Sequence, residues 1–258
     1  MSDHISYNEV LIWNQCPYRH KLQYTDNIKL FHGNIFTVFG TCVHESCQSQ
    51  VKSKNSNLLS YIPKFELCFD KALDNLSDPP SQEDRDTFRK QGVGIIEEFY
   101  DKFKEHFGTD YTVAIEDKLF ESIENSDKLF KGFIDLNMTC GRDKKRKIID
   151  LKTSTWGWDA RTKSDKTKIY QLVLYKYFVS QRDNVDLKDI ETYFILLKRT
   201  PKKGKKIEIV PITSGNVRVK NAIKWMETML KSVERGFVYK NRKNCQYCDF
   251  LNSKYCGR

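Results

Sequence analysis

From about Gln82 to Phe107 the apolar residues Phe88, Ile95, Ile96, Phe99, Phe103 and Phe107 recur at helical spacing, which predicts one long amphipathic helix. The segment at 77–84, with Pro79 and Pro80, breaks the chain and recaps it ahead of that helix. Near the start, Ser6 and Glu9 read as a capping box before the apolar run Val10 to Trp13, a short helix that delivers Cys16. Residues 38–52 contain no proline and alternate polar and apolar positions helically after Gly40, so His44 is expected on a second helix. From Tyr111 the period changes to that of strands: 111–123, 129–140 and 145–154 form three runs separated by turn residues, an antiparallel meander. A polar, irregular loop at 154–167 follows, then a helix from Ile169, two strands at 189–199 and 205–212, and a last amphipathic helix that stops near Gly236.

This succession reads as one domain over 1–258: a mainly helical part at 1–110, a sheet core at 111–212 and a C-terminal helix with a cysteine-rich tail at 213–258. Hydrophobic residues make up 39% and charged residues 30%, enough apolar surface for a sizeable core and too much for a disordered chain. The first ten residues carry neither a basic leader nor an apolar run, and no stretch of spanning length exists, so an intracellular protein, cytoplasmic or nucleoid-associated and without membrane association, is expected. The net charge of +10 is uneven: residues 1–130 balance at −7 and residues 131–258 at +17. Such concentrated positive charge favours a polyanion through counterion release, although a solvated basic face has the same composition.

Candidate chemistry lies in the strands. Asp150 and Lys152 are two apart on one strand and so point to the same face. If the preceding strand pairs with it through the turn at 141–145, Asp135 approaches, giving two carboxylates, a lysine and the main-chain carbonyl of Leu151. Hard oxygen ligands of this kind suit Mg²⁺ or Mn²⁺, and a lysine beside them can orient a water and stabilise developing charge. A single Asp-x-Lys is equally the composition of a strand-edge ion pair. Four spaced pairs in order change that balance: Gly40 to His44, Gly132 to Asp135, Asp150 to Lys152 and Gln171 to Tyr175. In this the chain resembles the RecB-like branch of the PD-(D/E)XK nucleases. The resemblance implies an α/β (α+β) restriction-endonuclease-like core, a central mixed sheet flanked by helices, with an N-terminal helical region. It also implies that His44, Asp135 and Asp150 ligate the metal, that Lys152 is catalytic, and that Gln171 and Tyr175, one turn apart on a helix, help hold substrate.

Cys245, Cys248 and Cys256 crowd the last fourteen residues, and Cys16 is the one cysteine near the other end. A Cys-x-x-Cys pair with a third sulfur calls for a fourth ligand. The chain resembles here the iron–sulfur members of the same branch, which include the AddB nuclease domain and the CRISPR-associated exonucleases. In them one N-terminal cysteine joins three C-terminal ones; Cys16-Pro17-Tyr18-Arg19 and Cys248-Asp249-Phe250 carry the likeness, while the seven-residue gap before Cys256 is longer than the usual five. The resemblance implies a 4Fe-4S cluster, with a structural Zn²⁺ as the alternative for four thiolates. Cys42, Cys47, Cys68 and Cys140 are expected as buried free thiols, because a chain without an export signal argues against disulfides.

Together these readings anticipate a Mg²⁺- or Mn²⁺-dependent DNA exonuclease acting at ends in recombination, repair or replication, with protein partners from recombination, replication or CRISPR-type systems. Trp156 and Trp158 in the loop at 154–167 are candidates for stacking on unpaired bases, which favours single-stranded DNA, and Lys168 is a candidate phosphate contact. The same tryptophans also suit packing of the loop. Two alternatives stand beside this reading: a nucleic-acid-binding subunit with a structural four-cysteine metal site and no cleavage, and an endonuclease or trimming enzyme within a larger complex. Glu45 and Glu116 are acidic neighbours left outside the expected ligand set.

Overall fold

The computed structural model describes residues 3–201 and 205–257. A short strand, β1 (His4–Ser6), leads into α1 (Tyr7–Gln15), α2 (Pro17–His20) and a π-helical turn at Lys21–Thr25. Half of the expected capping box forms: Ser6 Oγ accepts from the Glu9 N–H at 3.2 Å, whereas the Glu9 carboxylate instead meets the buried His20 Nε2 at 2.9 Å.

The next helix, α3 (Ile35–Ser53), begins three residues earlier than the sequence pattern indicates, because Asn34 and Thr37 cap each other reciprocally. Helix α4 (Leu58–Asp74), which the pattern did not single out, folds back on it, and α5 (Gln82–Phe107) follows with the expected bounds. The α3–α4 hairpin corrects the cysteine expectation. Cys42 and Cys68 lie about equally far from its turn, their Cα atoms are 5.8 Å apart, and they form a disulfide rather than two free thiols. Cys47 and Cys140 are buried free thiols as expected.

Strands β2 (Tyr111–Ser122), β3 (Leu129–Cys140) and β4 (Arg146–Ser154) form the antiparallel meander. The loop after β4 is not wholly irregular, since a helical turn, α6 (Ala160–Ser164), starts where the Asp159 side chain accepts from the Thr162 N–H. Helix α7 (Lys166–Asp183) then carries the chain over to β5 (Ile190–Lys198), which lies parallel to β4, and β6 (Ile207–Ile212) pairs antiparallel with β5 before α8 (Asn216–Glu234). The left-handed Gly236 (φ +68°) lies just beyond α8, as the sequence indicates.

The sheet separates two cores. On one face Leu119, Phe130, Ile134, Ile148, Phe194 and Leu196 pack with α1, α7 and α8; on the other, Leu136, Met138, Ile149, Leu151, Ile195 and Leu197 pack with α3, α4 and α5. Ile134 and Leu136 are two apart yet belong to opposite cores, so the facing of β3 reverses at Asp135. The residue across from it, Glu116, has a left-handed φ of +49°, and this cross-strand pair is missing from an otherwise continuous ladder.

Along one edge β3 pairs with β2 throughout. Along the other it pairs with β1 at Leu129–Lys131 and with β4 only from Leu136 onward. Residues 132–135 therefore border a gap at which β3 and β4 part, and this fork positions the candidate site.

Candidate active site at the fork

Alternation along β4 puts Ile149 and Leu151 in the α3–α5 core and leaves Asp150 and Lys152 on the α7 side. Once the ladder ends at Leu136↔Ile149, the Leu151 N–H has no strand partner there and donates instead to Asp135 Oδ2 at 2.6 Å. The expected meeting of Asp135 with Asp150 and Lys152 thus occurs, and a main-chain hydrogen bond fixes it. Lys152 Nζ lies 2.8 Å from Asp150 Oδ2, and Gln171 Nε2 donates to Asp150 Oδ1 at 2.7 Å.

His44 reaches the same place from α3. Its Nδ1 is 3.8 Å from Asp135 Oδ2, while its Nε2 is buried and has no hydrogen-bond partner. From α7, Gln171 Nε2 also contacts the Tyr175 hydroxyl at 3.4 Å. The Tyr175 ring lies so close to Gly132 that a Cβ there would approach it to 2.6 Å, whereas a Cβ at Gly40 would meet its nearest atom, Thr153 Oγ1, at an ordinary 3.5 Å. The two glycines of the spaced pairs therefore differ in kind. Gly132 makes room for Tyr175, and Gly40 tolerates a methyl group.

Electrostatics follow from burial. Asp150 is 3% exposed, and desolvation first, with Asp135 nearby, raises its pKa to about 6 against the opposing Lys152 charge. Asp135 also rises to about 6, mainly by desolvation and partly by Glu116, despite the Leu151 hydrogen bond. Burial lowers His44 to about 4, so its imidazole is neutral near pH 7.

The donor chemistry fits a divalent cation: two carboxylates, a neutral imidazole and a main-chain carbonyl. Two buried atoms without a hydrogen-bond partner, His44 Nε2 and Asp150 Oδ2, mark where one would be held; the second has the Lys152 charge beside it but no directed bond. Among the described residues no three acidic, histidine or cysteine side chains converge closely enough to hold an ion as they stand. Asp135 is turned to the Leu151 N–H and Asp150 Oδ1 to the Gln171 amide, so an ion would draw the carboxylates from these internal donors.

One neighbour escaped the sequence reading. Gln48, one turn after His44 on the same helix face, donates to Glu116 Oε1 at 2.6 Å and approaches the Asp135 carbonyl at 3.4 Å. Glu116 thereby borders the fork; the i, i+4 relation of His44 and Gln48 was the available signal. Glu45, by contrast, pairs with Lys64 on the surface. Of the loop tryptophans, Trp156 is 61% exposed, whereas Trp158 packs edge-on against Phe194 beneath the Lys168 ammonium, 5.0 Å from its ring. Lys163 is engaged by Glu208 at 2.6 Å. Of the lysines between β5 and β6, Lys202 and Lys203 lie outside the described residues, while Lys206 Nζ donates to the Arg199 carbonyl.

Where segments from the two chain ends meet, Cys16, Cys245, Cys248 and Cys256 line one cavity of about 330 Å³. The termini are fastened around it. Tyr18 N–H donates to the Tyr239 carbonyl at 3.0 Å, the Tyr18 hydroxyl to the Tyr255 carbonyl at 3.0 Å, Arg19 pairs with Asp249 at 3.2 Å, and Cys16 Sγ accepts from the Asn241 N–H at 3.4 Å.

Two outcomes follow for the fork. Because the folded pKa of Asp150 lies above its unfolded value, the folded state holds its proton more tightly. No penalty exists below about pH 4, and stability falls as pH rises from there through about 6. A shift of this size corresponds to on the order of 2–3 kcal/mol, so in EDTA Asp150→Asn should raise Tm by roughly 5 °C at pH 8 and far less at pH 4, as thermal melts would show. Gly132→Ala should displace Tyr175 and lower turnover more than Gly40→Ala does, measured as initial rates on a labelled polynucleotide.

The described residues include no helix long and apolar enough to cross a membrane. A solved structure named "Putative exonuclease", from Eubacterium rectale, aligns over 95% of this chain and 87% of its own at 13% identity with a TM-score of 0.59, a likeness of fold. The structure of SSO0001 aligns over 97% of this chain and 84% of its own at 12% identity and a TM-score of 0.46. No curated protein sequence matches the chain. The family model of the PD-(D/E)XK nuclease superfamily matches residues 4–253, and with a mixed sheet flanked by helices and forked at Asp135 and Asp150, the chain belongs to that superfamily.

Proposed function

We propose that the chain is a divalent-metal-dependent DNA nuclease that hydrolyses phosphodiester bonds at DNA ends, with a preference for single strands. The observation that carries this reading is the set of buried atoms without hydrogen-bond partners, His44 Nε2 and Asp150 Oδ2, beside Asp135 and Lys152 at one fork. His44, Asp135, Asp150 and the Leu151 carbonyl hold Mg²⁺ or Mn²⁺ in this reading. The bound ion would supply a water nucleophile at neutral pH and offset charge on the phosphoryl oxygens. Lys152 orients that water and stabilises charge developing on the phosphate. Gln171 fixes Asp150 Oδ1, and Tyr175, seated against Gly132, walls the fork next to it. The exposed Trp156, just past the end of β4, is placed to stack on an unpaired base, which supports the single-strand preference; Trp158 and Lys168 serve to pack the loop.

The four terminal cysteines bind a 4Fe-4S cluster in the same proposal. One cysteine from the start of the chain and three from its end line one cavity, the four-thiolate set that a 4Fe-4S cluster takes and that a structural zinc would also accept. The cluster would clamp the chain ends and take no part in hydrolysis. Work in recombination, repair or replication suits a nuclease of DNA ends and belongs to this proposal.

The decisive assay incubates wild type and Asp150→Ala with end-labelled single- and double-stranded DNA in Mg²⁺, Mn²⁺ or EDTA. Cleavage by wild type only, abolished by EDTA, is expected; equal cleavage by the variant would reject the site, and inactivity of the wild type would leave a binding protein. Anaerobically purified protein should be brown, with about four irons per chain, and Cys248→Ser should bleach it. Colourless protein with stoichiometric zinc is the opposing result.

A further inference from the structure

On the face of α7 turned away from Gln171 and Tyr175, an open groove of about 660 Å³ runs between this helix and the start of α8. Lys176 lies two turns after Ile169, about 140° around the helix from Gln171, and both Ile169 and Lys176 line the groove. Four lining side chains are basic, Lys166, Lys176, Lys188 and Arg218, and none is acidic. Lys188 is neutralised by Asp186 at 3.1 Å, and Arg218 is held in place by a hydrogen bond to the Thr213 carbonyl.

Two independent features converge there. Helix α8 is 19 residues long and has Gly215 at its N-cap, so no side chain satisfies its first N–H groups; these groups and the helix dipole face the groove beside Thr213 and Asn216. Lys176 is only 6% exposed and makes no hydrogen bond or ion pair among the described residues. Glu191, the carboxylate whose charge acts on Lys176, is already taken by Lys145 at 3.0 Å, Lys147 at 2.7 Å and the Tyr193 hydroxyl at 2.7 Å. The Lys176 stem is packed while its ammonium is only partly desolvated, which holds its pKa below the usual lysine range, and an anion in the groove would offset that desolvation.

We infer that this groove is a phosphate-binding site, in which Lys176, Lys166, Arg218 and the amino end of α8 take a phosphate group outside the catalytic fork. Two sources share this chemistry: a backbone phosphate of a nucleic-acid strand passing along α7, and free phosphate or the terminal phosphate of a released nucleotide. The fork uses none of these residues, so the inference survives even if the proposed cleavage chemistry fails.

The test is thermal unfolding of the full chain without divalent metal, with inorganic phosphate exchanged for chloride at constant ionic strength. The wild type should gain Tm with phosphate, and Lys176→Met should bind it roughly tenfold more weakly, as expected for a lost charge-assisted hydrogen bond. Lys166→Ala and Arg218→Ala, on the groove rim, give the same readout should Lys176→Met fold poorly. An equal phosphate response in wild type and all variants overturns the site. A second arm measures binding of a labelled single-stranded oligonucleotide to Asp150→Asn with and without Lys176→Met. Weaker binding that phosphate also suppresses in the parent assigns the groove to a strand; unchanged oligonucleotide binding with an intact phosphate effect assigns it to free phosphate.

Discussion

The hydrogen bond from the Leu151 N–H to Asp135 Oδ2, 2.6 Å long, is the constraint on which the fork depends. Two neighbouring antiparallel strands normally consume each other's amides, and an amide left over in a buried place is expensive. Here β3 turns away from β4 after a single short ladder, because its far half pairs with β1 and its facing reverses at Asp135. The freed amide is satisfied by the carboxylate that the reversal brings inward. One bond thus closes the ladder and holds an acidic group beside Asp150. The left-handed Glu116 across from Asp135 belongs to the same distortion, which is of the strained kind found where backbone geometry serves a site.

The fork is electrostatically unfavourable when it is empty of positive charge. Two carboxylates of raised pKa and a neutral imidazole of lowered pKa share a buried space, and Lys152, 35% exposed, is the cation paired with Asp150 there. The rest of the fold holds this arrangement against that cost. Behind Asp135 and Asp150 lies the α3–α5 core, in which Phe39, Phe65, Phe69, Phe99 and Phe103 are almost wholly buried, and the Cys42–Cys68 disulfide ties the helix bearing His44 to its neighbour. On the other side Phe130 stacks on Phe178 at 4.2 Å and seats α7 so that Gln171 meets Asp150. A donor set that repels itself when empty, carried on a frame held from both sides, is suited to take a divalent cation by turning its two carboxylates rather than by moving the backbone.

Much of this was legible in the sequence, for stated reasons. A period of two put Asp150 and Lys152 on one face, and the turn at 141–145 made Asp135 their neighbour; both relations are local, and the structure keeps them. His44 and Gln171 reach Asp135 and Asp150 from distant helices, so only resemblance to a family placed them together. The disulfide was missed because the reading rested on compartment instead of geometry. With α4 unrecognised, nothing showed that Cys42 and Cys68 stand at matching distances from a helical turn. Glu116 was named as an acidic neighbour, but its place across from Asp135 was not legible, because a reversal of strand facing leaves no trace in alternation: Ile134 and Leu136 look like partners on one side.

The two ends of the molecule solve different problems with similar chemistry. At the fork, oxygen and nitrogen donors sit on β3, β4 and α3, elements anchored by large apolar cores, so the frame that carries the donors exists before any ion arrives. Around the terminal cavity Cys16 sits at the junction of α1 and α2 and the other cysteines on 3₁₀ and turn segments with little apolar support: Phe250 is buried, whereas Tyr247, Phe237 and Tyr239 are exposed. There the fastening is polar and sparse, chiefly Arg19 to Asp249 and two bonds from Tyr18. A metal group bound by Cys16, Cys245, Cys248 and Cys256 would therefore contribute folding energy locally, as structural metal sites do. An ion at the fork would act on a frame that already stands. Loss of the terminal group should loosen α1 and the tail first, and it reaches the fork through α1, which packs against α7 in the same apolar core and shares with it the bond from Tyr7 to the Thr167 carbonyl.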